Sequence, residues 1–124
     1  INLNKHNRNH LIRSSLEGIV FSMIYGLEIL ISDNVSPSII RAGNDNLFQS
    51  DIFSKTFSTL SNNEIEIYDV TGAYGAARAA GFGKEITDIN KNDLLKIITP
   101  SIDKNIYYDS YNRWKEKLTL ILNK

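Results

Sequence analysis

Two short stretches carry the residue types from which a ligand site can be built. In IIRAGNDNLFQ (39–49) an apolar run ends in the small, polar turn Gly43-Asn44-Asp45. In EIEIYDVTGAYGAARAAGFG (64–83) a second apolar run leads through Thr71 into an alanine-rich segment opened by Gly72. Each reads as strand, small-residue turn, helix. Such a turn lets a ligand approach the backbone closely, and the helix start behind it offers free N–H groups with positive dipole character. The chemistry this suits is holding a nucleotide, and two such units in tandem make half of a nucleotide-binding α/β domain.

Other chemistries find less support. Gly72, Gly75, Gly81 and Gly83 do not give G-x-G-x-x-G, and Lys84 lacks both the upstream glycine and the following Ser or Thr of a phosphate loop. On spacing alone, glycines in an alanine-rich helix serve packing more often than ligand contact. His6 and His10 lie four apart on one helical face, but Asn7 stands where a zinc-protease glutamate would be and no third ligand is in view. A polar helix start explains them more simply. Asp45, Asp51 and Asp69 read as caps and solvated surface, because no histidine, serine or lysine partner is fixed beside them. With no cysteine in the chain, disulfides and thiolate chemistry are excluded. Lys plus Arg and Asp plus Glu number 14 each, a balance that favours neither nucleic acid nor an acidic membrane surface.

The elements that must position the two turns follow from periodicity. His6 to Ser32 reads as one long helix, with Leu16, Ile19, Val20, Met23, Leu27, Leu30 and Ile31 at helical spacing and more than one face covered. Ser14, Gly18, Ser22 and Gly26 add a stripe of small residues that suggests close packing of another backbone. The apolar run Ile19 to Ile31 is shorter than a bilayer span, so a buried helix is expected. Ile39 to Ala42 and Ile65 to Tyr68 are the strands. Helices are expected at Asn46 to Leu60, at Gly72 to Gly81 with Thr71 as N-cap and Gly81 or Gly83 as terminator, near Asn92 to Ile98, and at Lys104 to Leu122. The last carries the stripe Tyr107, Tyr111, Trp114, Leu118, Ile121, which should clamp it to the core. The fold class is therefore α/β, in the order α-β-α-β-α plus a C-terminal helix, with two parallel strands in one domain over 1–124. Two parallel strands alone make a poor core. The chain opens on Ile1 without an initiating methionine, and further strands are expected upstream or from a second copy.

Three motifs in order resemble the FGGY family of carbohydrate kinases, xylulose kinases in particular. HNRNHLIRSSLEGIVF resembles a helix of the pattern H-x-R-x-H-L-x-R-A-x-x-E-G-x-x-F, matching at His6, Arg8, His10, Leu11, Arg13, Glu17, Gly18 and Phe21. IIRAGNDNLFQSDIF resembles the adenosine-motif strand and turn G-G-G-A-x-x-P-L-W-R-Q, and GAYGAARAAG resembles G-A-A-L-G-A-A-x-x-A. The sequence departs from the pattern at Arg41-Ala42-Gly43, where the family has a glycine run, and at Asn46, where proline is common.

The resemblance implies a ribonuclease-H-like, actin-like ATPase domain whose first three strands lie outside this chain. It implies a cytoplasmic parent enzyme that moves the γ-phosphate of ATP, bound with Mg2+, to a ketopentose, D-xylulose above all. Catalytic base, sugar pocket and phosphate loop would lie in the missing N-terminal part, so this chain holds no catalytic residue and no metal ligand and is inactive alone. Ala42, Gly43 and Asn44 would face ribose and α-phosphate, and Asn46 would turn its amide to adenine. Gly72, Ala73, Gly75 and Ala76 would let the third helix pack at the hinge. Gly43→Val is then expected to weaken ATP use more than sugar use. The rival reading is a non-catalytic α/β interaction module that dimerises through an open sheet edge. In either case self-association is expected, and nucleic acid and membrane are not expected partners.

Overall fold

The computed structural model describes residues 2, 4–81 and 91–123. Gly83 and the rest of 82–90, one of the expected helix terminators among them, lie outside the described residues. The first helix, α1 (Arg8–Ser32), starts two residues after the expected His6 and ends at the expected Ser32. Asn7 is its N-cap and accepts from the N–H groups of Asn9 and His10, while His10 Nδ1 accepts the Asn7 N–H at 3.2 Å. His10 thus closes a capping box, and His6 Nδ1 accepts from the Asn2 N–H.

The strand β1 (Ile40–Gly43) pairs in parallel with β2 (Ile65–Tyr68), Gly43 lying opposite Tyr68. Between them a 3-10 turn (Asn46–Gln49) precedes α2 (Asp51–Ser61). The continuous helix expected from Asn46 is broken because Asn46 has a φ of 50° and Ser50 is extended, accepting the Phe53 N–H on its hydroxyl as the true N-cap. After β2 comes α3 (Gly72–Ala80) and, last, α4 (Asn105–Leu122).

The segment expected to be helical near Asn92 to Ile98 is instead a strand, β3 (Leu94–Ile98), entered through a 3-10 turn at Lys91–Asp93. It pairs antiparallel with β2, so the sheet has three strands in the order β1-β2-β3 and not two. β1 stands at an edge.

One face of the sheet carries the core. Ile65 and Ile67 meet Phe53, Phe57 and Leu60 of α2 and Val20, Phe21 and Ile24 of α1. α4 closes this layer with Tyr111, whose ring stacks on Trp114 at 6.0 Å between centroids, both resting on Phe21. The aromatic stripe behaves as expected through Leu118 and ends before Ile121, which is exposed.

Only one face of α1 is buried. Ile19, Met23, Leu30 and Ile31, counted above among its covered residues, are exposed. At 25 residues the helix is also long and apolar enough to cross a membrane by length and composition, contrary to the estimate from the Ile19 to Ile31 run.

Candidate functional site

Parallel pairing brings the two small-residue turns together at the carboxyl ends of β1 and β2, the position at which open α/β sheets build ligand crevices. The turns are locked to each other. The Asn44 N–H donates to the Tyr68 carbonyl at 2.8 Å. Gly43 lies against the second turn so closely that a Cβ there would overlap the Val70 carbonyl oxygen and stand 3.2 Å from the Thr71 carbonyl carbon. The absence of a side chain at Gly43 is therefore required by packing of one turn on the other. Gly43→Val, expected from the sequence to weaken ATP use more than sugar use, would also bring its added bulk against protein backbone.

The second lock is Asp45. Its Oδ2 accepts the Gly72 N–H at 2.8 Å, so the first turn supplies an anionic partner to the start of α3. Capping, the simpler reading of Asp45 in the sequence, is what the carboxylate does, but it caps the next helix unit and not its own. Gln49 steadies the first turn by donating its side-chain amide to the Asn44 carbonyl at 3.1 Å.

Below the turns, on the sheet face away from α2, Arg41 Nε and the Tyr68 hydroxyl both reach Glu66 Oε2 at 2.8 Å. The bond to Glu66 holds the Arg41 guanidinium above its ordinary value, and the same carboxylate, helped by burial, raises the Tyr68 phenol. Sequence reading passed over this triad. The parallel register that sets Arg41 beside Glu66 was its only signal.

Of the expected ligand residues, Ala42, Gly43 and Asn44 are half-buried around the locked turns, and Asn46 is exposed beside them. Gly72, Ala73, Gly75 and Ala76 are exposed on α3, and a Cβ on Gly75 would meet open space. The packing role assigned to these four has no counterpart among the described residues. No cluster of three or more metal-ligating side chains occurs among the described residues. A cleft of about 450 Å3 lies elsewhere, between α2, β3 and Tyr107 of α4, and is lined by Arg13, Asp51 and Lys55. Its charged side chains already have partners: Arg13 pairs with Glu17, Asp51 with Lys96, and Lys55 donates to the Thr99 carbonyl.

No family model and no curated protein matches the chain. Its fold is shared with one part of a solved structure. The solved structure of xylulose kinase from Rhodospirillum rubrum matches with a TM-score of 0.70 at 23% identity, covering 99% of this chain and 26% of that one. The likeness establishes a shared mixed α/β fold over nearly all of this chain, which spans about a quarter of its neighbour's length.

Proposed function

We propose that the chain is the nucleoside-holding wall of an ATP-dependent carbohydrate kinase of the xylulose kinase kind. In this reading it is the later part of a ribonuclease-H-like domain, and the remaining strands, catalytic base and sugar pocket belong to the rest of the protein. The observation that carries the proposal is the 99% coverage of this chain by a xylulose kinase fold, together with paired turns at the carboxyl ends of parallel strands. The substrate is a ketopentose, D-xylulose first, and the cellular setting that of a cytoplasmic metabolic enzyme.

The turn chemistry fits the nucleoside better than the phosphates. Asp45 already supplies negative charge to the start of α3, which disfavours an α-phosphate there. Asn46 offers an exposed amide able both to donate to and to accept from an adenine edge. Its φ of 50° is closed to proline, so this turn cannot copy the proline-bearing turn of the resembling family. Asn44 and Ala42 form the floor under the ribose. ATP supplies the phosphoryl group when bound, and Mg2+ travels with its phosphates. The role of these residues is to position the nucleoside, the main demand in phosphoryl transfer. Gly72, Ala73, Gly75 and Ala76 present a thin, open helix face against which the second wall of a cleft can close.

The test is an amide-resolved NMR titration of the chain with adenosine, ATP and guanosine. Adenosine and ATP should perturb Asn44 and Asn46 with similar, weak affinity, and guanosine should not. Xylulose phosphorylation by the chain alone should be absent. Perturbation confined to the Arg13–Lys55 cleft, or affinity carried wholly by the triphosphate, would overturn the assignment.

A further inference from the structure

Tyr68 stands at the junction of the two turns. Its main-chain carbonyl accepts one N–H group from each of them, Asn44 at 2.8 Å and Val70 at 2.8 Å. Gly43 lies opposite it in the parallel register, and a Cβ on Gly43 would meet the Val70 carbonyl oxygen. The next residue, Asp69, donates its N–H to the Asp93 carbonyl at 2.8 Å, at the entry to β3. The spacing of the turns therefore follows the plane of one peptide group, the one that carries the Tyr68 carbonyl.

The sheet is irregular at this residue. β2 and β3 pair in step from Ile65 to Ile67 and then slip, so that Ile67 faces Lys96 and Tyr68 faces Leu94. A slip of this kind interrupts the ladder and re-aims the residue beside it. The side chain of Tyr68 supplies a second hold. Its ring is 6% exposed. Its hydroxyl donates at 2.8 Å to Glu66 Oε2, the oxygen that also accepts Arg41 Nε at 2.8 Å from the facing position of β1. Tyrosine has two side-chain torsions, so packing the ring and bonding the hydroxyl fixes the direction of the Cα–Cβ bond. Bonds to a carboxylate are stronger than neutral ones, and this pair of bonds joins the two strands just below the turns.

We infer that Tyr68 is a positioning residue of the rim: its side chain, anchored by Glu66 and Arg41, holds the carbonyl that spaces the first turn from the second. It acts on the site indirectly, through Asn44. Losing the anchor frees the carbonyl, loosens the Asn44 and Val70 N–H groups together, and lets the Gly43 turn move against Val70. The effect on a bound nucleoside rests on the function proposed above; the effect on the two amides does not.

Native-state amide exchange of the 124-residue chain tests this. Tyr68→Phe keeps the ring and removes the hydroxyl, and should lower the protection of the Asn44 and Val70 amides about tenfold, as expected for one lost bond to a charged acceptor. Glu66→Ala should do the same, and Glu66→Gln, which keeps an acceptor oxygen, should restore much of the protection. Val20→Ala truncates the core on α1. It should lower the protection of the Phe57 and Leu60 amides and spare Asn44 and Val70, whose exchange follows local opening of the rim. The adenosine dissociation constant should rise about tenfold in Tyr68→Phe and hold in Val20→Ala. Unchanged protection of Asn44 and Val70 in Tyr68→Phe, an equal loss there in Val20→Ala, or unchanged adenosine affinity in Tyr68→Phe would overturn the role given to Tyr68. Adenosine that binds no form of the chain would instead overturn the nucleoside reading, and amide exchange then decides the role of Tyr68 by itself.

Discussion

The Asp45 carboxylate accepts the backbone N–H of Gly72 across 27 positions of sequence, at 2.8 Å, and thereby ties the two strand–turn–helix units into one rim. A capping acceptor supplied by another segment does two things. It satisfies an orphan donor at the start of α3, and it fixes where that helix begins relative to β1. Asp45→Ala should cost about 1 kcal/mol of stability. Asp45→Asn should cost less, because the amide oxygen still accepts while the charge on the dipole is lost. Urea unfolding of the three proteins checks this. Equal stability of the alanine variant would mean that α3 is held by something other than the rim.

Glycines in this chain should separate sharply by site. A methyl on Gly43 meets the Val70 carbonyl, whereas one on Gly75 meets nothing. Gly43→Ala should therefore destabilise by about 1–3 kcal/mol, the usual cost of forcing backbone apart in a packed region. Gly75→Ala, in the interior of α3, should stabilise by up to about 1 kcal/mol through helix propensity. Thermal melts of the two variants should move in opposite directions. A silent Gly43→Ala would show that the turns are looser than the contact implies.

The same contrast shows what could be read in the sequence. The boundaries of α1 and α4, the parallel pair β1–β2 and the small-residue turns were legible because apolar periodicity and turn chemistry are local signals. β3 was not. Leu94, Leu95, Ile97 and Ile98 put apolar groups on both faces of a five-residue strand, so the alternation that marks a strand is erased and a short helix reads equally well. At the site, the Gly43-Asn44-Asp45 turn was visible as a close-approach point, but not what approaches it. The Val70 carbonyl and the Gly72 N–H arrive through the parallel register, which no local pattern encodes. The break before α2 rests on one left-handed residue, Asn46, a conformation asparagine tolerates without announcing.

The two buried tyrosines set the alkaline limit of the fold. The Tyr68 hydroxyl donates to Glu66 Oε2, and that bond, then burial, raises its pKa above the ordinary value of 10.0. Tyr111 is raised further, chiefly by burial, with the Glu28 carboxylate adding to it, although its hydroxyl has no hydrogen-bond partner within reach among the described residues. A tyrosine with a higher pKa when folded binds its proton more tightly in the native state. The stability this gives is fully present below the unfolded value and is lost as pH rises through the folded one. The melting temperature should therefore hold steady up to about pH 9 and fall above about pH 10, where an unfolded tyrosine ionises freely. Tyr111→Phe should remove much of that fall. At neutral pH it should be neutral or slightly stabilising, because it deletes a buried hydroxyl that has no partner. Tyr68→Phe should be destabilising at neutral pH, because it removes the hydroxyl that donates to Glu66 Oε2 on the open face of the sheet. Melts of both variants across the alkaline range distinguish the two roles, and a wild-type protein as stable above pH 10 as at neutrality would contradict the burial of both phenols.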